Sequence, residues 1–241
     1  MPRSPLRSPS PSLDLSEHLY EFHSQPSVMA WGSDTGTDSP FPSLPVPVTS
    51  DNLFGNTNPL EIEIGSGKGL FLSNAAIRRP ENNYLGIEIV RKYAKHAAAR
   101  LRKKSVTNAK MVAGNAELLF GGPIPAESLE AVHVYFPDPW WKKRHRKRRV
   151  VNERSILNYY DALRPGGRFH FWTDVLDYFE STIEMIAEIR PQFGIPIPEE
   201  EAESTHELDF HTHFERRSRR DQTPVYRVRY EKREPSSKIT S

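Results

Sequence analysis

The chain of 241 residues contains no cysteine. Disulfides, thiolate metal sites and cysteine nucleophiles are therefore excluded, and the redox compartment is left open. No apolar run approaches the length of a membrane span. The N-terminus carries arginines but no apolar stretch behind them, which argues against a secretory signal. Charge of one sign is also lacking overall: 33 Lys and Arg against 31 Asp and Glu leave a net +2. A polyanion could then be steered only by local patches. Nine histidines are scattered, with His211 and His213 the close pair. Without a third ligand at suitable spacing, no metal site is expected. The default expectation is a soluble cytoplasmic protein with no membrane partner.

Order is unevenly spread along the chain. Residues 1–50 are rich in Ser and Pro and show no sustained apolar period. Such a composition cannot bury enough surface to offset the entropy of ordering, so a disordered extension is expected there. Leu15, Leu19, Phe22 and Trp31 are the residues in it that could dock on a domain. The domain itself is expected over 51–234, with a frayed tail from 235 to 241.

Leu60 to Ile64 alternates like a strand and runs into Gly65-Ser66-Gly67-Lys68-Gly69, after which Leu70, Phe71, Ala75 and Ile77 suggest a helix. Strand, glycine loop and helix open a doubly wound nucleotide-binding fold. The glycines are one residue tighter than the G-x-G-x-x-G of dinucleotide sites. Glu63 stands just before them, where a carboxylate would repel a pyrophosphate and attract an amine or sulfonium. That combination favours S-adenosylmethionine, which has both cations and no phosphate. Glu88 ends the next strand, Tyr84 to Ile89, about 20 residues beyond the first glycine, where such folds place a carboxylate for ribose hydroxyls. A third strand near Asn108 to Val112 leads to Asn115, which could meet an adenine edge or equally cap the following helix.

The fourth strand, Leu129 to Phe136, is apolar and delivers Pro137-Asp138-Pro139 to the carboxyl edge of the sheet. The prolines fix φ on both sides of Asp138 and remove two backbone donors, so the aspartate is presented rather than folded away. Trp140 and Trp141 follow, each readable as core or as a stacking surface. Basic residues then run unbroken from Lys142 to Arg149; on charge alone this is as readily a solvated turn as a polyanion site. A helix around Ile156 to Leu163 ends at Arg164-Pro165-Gly166-Gly167. A strand from Arg168 to Thr173 brings Asp174 to the same edge. Leu176 to Ile189 reads as another helix, Pro191 to Pro198 as extended, and Glu199 to Glu203 as a wet acidic stretch. His211 to Arg217 reads as a polar loop before the last strand, Val225 to Tyr230.

Taken together, Phe136-Pro137-Asp138-Pro139-Trp140 with the basic run to Arg148-Arg149-Val150-Val151, the loop Glu63-Ile64-Gly65-x-Gly67-x-Gly69, Gly86-Ile87-Glu88, Thr173-Asp174 and Thr212-x-Phe214-Glu215-Arg216 resemble the bacterial tRNA (guanine-N7)-methyltransferases. The likeness spans roughly Leu53 to Lys232. It implies a Rossmann-like methyltransferase fold: an α/β, mostly parallel seven-stranded sheet with an antiparallel last strand. It implies methylation at N7 of a tRNA guanosine, guanosine 46 of the variable loop. By the resemblance, Glu63, Gly65, Gly67, Gly69, Glu88, Asn115 and Asp138 would hold S-adenosylmethionine, with Asp138 at the reaction centre. Lys142, Asp174, Thr212, His213, Phe214 and Glu215 would meet the target nucleotide, and Arg144, His145, Arg146, Lys147, Arg148 and Arg149 the RNA. Asn115 stands where the family often has Asp, His213 where Lys is usual, and Trp141 where His is common. The expected partner is tRNA, with no obligate protein partner and a monomer or homodimer. A methyltransferase for another substrate and a non-catalytic RNA-binding relative are the alternatives.

Overall fold

Strands that are buried at every position need cover on both faces, and three central segments of this chain are of that kind. The computed structural model describes residues 9–10, 13–22, 41–200 and 212–233, apart from the side chains of Lys143 and His213. In chain order the strands are β1 (Leu19–Glu21), β2 (Leu60–Ile64), β3 (Asn83–Glu88), β4 (Ala109–Ala113), β5 (Leu129–Tyr135), β6 (Leu163–Thr173), β7 (Ile197–Pro198) and β8 (Tyr226–Glu231). They form one sheet in the order β1-β4-β3-β2-β5-β6-β8-β7. The pairings from β1 through β6 are parallel, and β8 runs antiparallel to both β6 and β7. β2, β3 and β5 are buried throughout.

Side chains alternate between two cores. Ile62, Ile64, Leu85, Ile87, Val132, Val134, Phe169 and Phe171 pack on one face with Ile156 and Tyr159 of α5 (Glu153–Ala162) and Tyr178 and Ile186 of α6 (Leu176–Ile189). Tyr84, Tyr135 and Trp172 pack on the other with Phe71 and Leu72 of α2 (Leu70–Arg78) and Ala94, Ala97 and Leu101 of α3 (Arg91–Lys103). The short α1 (Ser50–Phe54) and α4 (Ala116–Phe120) add Leu53 and Leu119 to the first core.

Four expectations are corrected. The sheet has eight strands, because β1 comes from within the Ser/Pro-rich stretch expected to be disordered; Leu15 and Leu19 are buried there and supply what the low average hydrophobicity concealed. The His211–Arg217 stretch is not a loop over its described part: α7 (His213–Arg220) occupies it, with Thr212 Oγ1 accepting from Glu215 N at 3.0 Å. A cap and an i,i+4 Glu215–Arg219 pair build this helix, while it buries no apolar side chain whose period could be read. β6 starts at Leu163, directly after α5, and runs through the Arg-Pro-Gly-Gly turn. Glu199 is not wet: it accepts from Trp172 Nε1 at 2.6 Å and lies 2.9 Å from His170 Nδ1. The remainder of the acidic stretch, His211 and the tail from 235 lie outside the described residues.

Polar side chains on the α2–α3 face form a buried chain. Glu61 accepts from Arg79 at 2.9 Å and Asn82 at 2.6 Å, and its Oε2 lies 2.7 Å from His133 Nε2. Burial alone would raise the Glu61 carboxyl, but the His133 hydrogen bond and the Arg79 charge bring it down to about 2. Burial pushes His133 down to about 4. At neutral pH His133 is therefore uncharged, donates from Nε2 to ionised Glu61, and accepts from the Tyr135 hydroxyl at 2.9 Å through Nδ1. The unfolded chain protonates His133 from about its ordinary value of 6.5 and Glu61 from about 4.5, whereas the folded chain resists both. Stability should hence fall steadily as pH drops from about 6.5 towards 2. In urea titrations across this range, His133→Asn should be less stable at pH 7 but show a shallower slope between about pH 6.5 and 4; a slope equal to that of the unsubstituted protein would contradict the assignment.

Candidate active site

Because β2 to β6 run the same way, the loops after them open on one rim of the sheet, the edge where open α/β sheets bind ligands. β2 hands the chain to Gly65, Gly67 and Gly69, at φ +75°, +52° and +66°. These left-handed conformations strain any residue with a Cβ. The loop is tied to β3: Gly65 N and Ser66 N donate to Ile87 O at 2.8 and 3.2 Å, and Gly67 N to Glu88 Oε2 at 2.9 Å. A Cβ at Gly65 would meet no described atom within 4 Å, and one at Gly67 only the Gly65 carbonyl at 4.0 Å. These two glycines border open space. Gly69 differs, since a Cβ there would lie 2.7 Å from Ala97 Cβ; it lets the start of α2 pack on α3.

Beneath this cradle Glu63 is 4% exposed, and its Oε2 has no hydrogen-bond partner among the described residues. Burial, with Glu88 nearby, pushes its carboxyl up to about 8. It is a neutral acid that a neighbouring cation would ionise. Glu88 accepts from Gly67 N and, through Oε1, from Val90 N at 2.8 Å. A carboxylate has about four acceptor sites, so capacity remains for a ligand hydroxyl. Burial raises the Glu88 carboxyl, and the charge of Asp138 adds to the rise, so Asp138 lies within electrostatic reach of these loops. Asn115 caps α4, its Oδ1 accepting from Glu117 N at 3.0 Å. Of its two readings the cap is seen directly. A buried carboxyl with one unpartnered oxygen, an open glycine cradle and a second carboxylate suit a ligand with cationic groups and hydroxyls and no phosphate. Among the described residues no cluster of three or more His, Asp or Glu could hold a metal ion.

β5 ends in an arch. Phe136 and Trp140, on either side of Pro137-Asp138-Pro139, have φ +49° and +45°. Such conformations cost on the order of 1–3 kcal/mol each in non-glycine residues and persist where surroundings over-determine them. The anchors are visible. Phe136 N donates to Trp172 O at 2.8 Å, and its ring stacks on Phe214 at 6.0 Å. Arg149 Nε donates to Pro139 O at 2.9 Å, while its guanidinium lies 4.1 Å from the centre of the Tyr178 ring. The Trp140 ring lies nearly perpendicular to the His145 ring at 5.8 Å, and the Arg148 guanidinium lies 5.1 Å from its centre. Asp138 is left exposed at the crown.

The basic run is not one functional unit. Lys143–Arg148 coil into a 3-10 helix on which Arg144, Arg146, Lys147 and Arg148 are exposed; Lys142, just before it, is exposed as well. His145 is half-buried. Arg149, expected among the RNA contacts, is 8% exposed and spent on the arch. The apolar Val150-Val151 that follow were the available signal, because Val151 is buried and draws the end of the run inward. Trp141 is 68% exposed, whereas Trp140 is half-buried.

Asp174 follows β6 and is exposed on the same rim. At the start of α7, Phe214 is 46% exposed and reaches the arch through Phe136. Glu215, in contrast, is 1% exposed and paired with Arg219 at 2.7 Å and Arg227 at 3.9 Å. It holds α7 on β8, and Thr212 serves as that helix's cap. Arg149→Ala should therefore cost about 2 kcal/mol of stability, as losing a buried donor does, whereas Arg144→Ala should stay within about 0.5 kcal/mol. Urea midpoints would check this; equal effects would return Arg149 to the exposed group.

Comparison with known proteins adds an independent line. The family model described as "Putative methyltransferase" matches residues 57–228. A tRNA (guanine-N(7)-)-methyltransferase of Rhodopirellula baltica is 58% identical over 97% of this chain and 81% of its own. One of Syntrophotalea carbinolica is 40% identical over 65% and 68%. Among solved structures, an antibiotic-related methyltransferase superposes with a TM-score of 0.54 at 18% identity, covering 78% of this chain and 96% of that one. That likeness speaks for the fold alone.

Proposed function

The chain belongs to the tRNA (guanine-N7)-methyltransferase family, and from this premise we propose that it transfers the methyl group of S-adenosylmethionine to N7 of guanosine 46 in the tRNA variable loop. The observation that carries the reading is the exposed Asp138, held by a strained arch on the same sheet rim as Glu88 and the glycine cradle. When bound, S-adenosylmethionine supplies an electrophilic methyl group on a sulfonium.

The residues would divide the work as follows. Glu63, beneath Gly65 and Gly67, meets the amine end of the cofactor, Glu88 the ribose hydroxyls and Asn115 the adenine. Guanine N7 carries a lone pair and no proton, so no general base is required. The task of the chain is placement. Asp138 and Asp174 act as acceptors for the guanine N1–H and 2-amino group. As N7 is alkylated the ring becomes cationic, and a fixed carboxylate nearby stabilises that charge. The base must leave its stack to reach this rim; exposed Trp141 and Phe214 are the aromatic surfaces on offer to it or its neighbour. Lys142 and the exposed 3-10 helix residues contact phosphates. Location with its substrate in the cytoplasm, as a monomer or homodimer, goes with the reading; no helix among the described residues is long and apolar enough to cross a membrane.

Asp138→Ala should fold and bind S-adenosylhomocysteine while losing most turnover, measured as N7-methylguanosine in tRNA nucleosides; turnover like that of the unsubstituted protein would sink the assignment. Neutralising Arg144, Arg146 and Arg148 together should raise the tRNA KM and flatten the salt dependence of binding. An unchanged slope would return the 3-10 helix to a solvated surface. A third test uses pH. Glu63 is protonated below about 8 and must ionise to meet a cation, so S-adenosylhomocysteine affinity should climb with pH and level off near that value. Calorimetric titration checks this, and Glu63→Gln should abolish the climb; affinity independent of pH would refute the contact.

A further inference from the structure

The proposed reaction leaves the N-terminal strand without a role, yet its contacts lead to the cofactor loops. β1 pairs with β4 in parallel, Leu19 opposite Met111, Tyr20 opposite Val112 and Glu21 opposite Ala113. Parallel pairing brings the end of β1 to the same rim as Glu88 and the glycine cradle. Phe22, the next residue, donates its N–H to Ala113 O at 3.1 Å. A Cβ on Gly114 would come within 3.0 Å of Phe22 Cβ and 3.3 Å of Phe22 O. Gly114 is thus kept small by the end of β1. Its own N–H donates to Glu88 O at 3.1 Å, and Asn115 follows it.

Glu21 points to the opposite face. It is 3% exposed and ion-paired with Arg91, the first residue of α3, just beyond Glu88. The rest of the segment is anchored far from the rim. Leu15 and Leu19 are buried in the α2–α3 core, His18 Nε2 lies 2.9 Å from Val106 O, and Lys110 Nζ donates to Glu17 O at 2.8 Å. The end of this segment therefore touches Gly114, next to Asn115, through Phe22, and Arg91, where α3 begins three residues after Glu88, through Glu21. It also lies outside the residues matched by the family model.

We propose that Glu21 and Phe22 are positioning residues for cofactor binding, holding the loops that carry Glu88 and Asn115 in their binding geometry. The inference rests on the reading of S-adenosylmethionine as the methyl donor. Phe22 closes the space over Gly114, and Glu21 fixes the start of α3. Without them Gly114 and the Glu88–Arg91 turn gain freedom that ligand binding must remove.

The test is calorimetric titration of the full chain with S-adenosylhomocysteine, alongside steady-state kinetics. Phe22→Ala and Glu21→Gln should each raise its Kd about tenfold, within the usual range of coupling between linked sites. The KM for S-adenosylmethionine should rise in parallel, while kcat at saturating cofactor and the tRNA KM stay unchanged. Phe22→Tyr should restore tight binding. Leu15→Ala, buried in the same segment but remote from the rim, should lower the Tm without moving Kd. Unchanged Kd in both Phe22→Ala and Glu21→Gln would overturn the inference, and so would an equal rise in Leu15→Ala, which would mark a general loss of fold. Failure of the unsubstituted protein to bind would instead overturn the donor reading itself.

Discussion

A sheet whose neighbouring strands run in one direction has a single rim where every one of them releases its chain into a loop. That constraint organises this protein. Five successive parallel strands deliver the glycine cradle, Glu88, Asn115, Asp138 and Asp174 to one edge, although these residues are spread over more than a hundred positions of sequence. The direction in turn depends on burial. β2, β3 and β5 have no wet face, so crossover helices must lie on both sides, and helical crossovers are what make parallel pairing possible. Some of the polar side chains trapped inside this arrangement satisfy one another, as Glu61, His133 and Tyr135 do.

Against that regular frame the arch after β5 is the irregular part. Two aromatic residues in left-handed conformations would relax if released. The surroundings prevent it, through the Trp172 carbonyl at one foot and Arg149 at the other. The basic run thereby has two occupations. Its buried last residue is masonry for the arch, with His145 and Arg148 against Trp140, and its exposed members face solvent where a polyanion can approach. Charge that looks uniform in sequence is divided by burial: Arg149 is 8% exposed while Arg144, Arg146 and Arg148 are open.

Much of the centre was legible from residues. Alternation and apolar runs marked β2 to β6, since period and burial are properties of the local string. The placement of Glu63, Glu88, Asp138 and Asp174 at the rim was legible because each lies near or just beyond the end of such a strand. What was not legible depended on partners distant in sequence. β1 hid in a Pro- and Ser-rich stretch, because a three-residue strand gains its stability from pairing with β4 and from two buried leucines. α7 lacked an apolar stripe and is held by Thr212, Glu215 and Arg219. Glu199 looked like one of several solvated acids until β7 set it against His170 and Trp172. Burial alone would raise its carboxyl, yet the His170 hydrogen bond and charge and the Trp172 hydrogen bond bring it down to about 2.

The two ends of the sheet are both short. An open edge strand offers unpaired N–H and C=O groups to any other chain, and long flat edges invite aggregation. Here one border is β1, three residues long, whose outward groups are already taken: Glu21 N donates to Pro42 O at 3.0 Å and Glu21 O accepts from Leu44 N at 3.1 Å. The other border is β7, two residues long, and one of those is Pro198, which has no N–H to give. Among the described residues the eight-stranded sheet thus presents almost no template at either side for another strand to extend, a protection set by the edges and not by a large net charge.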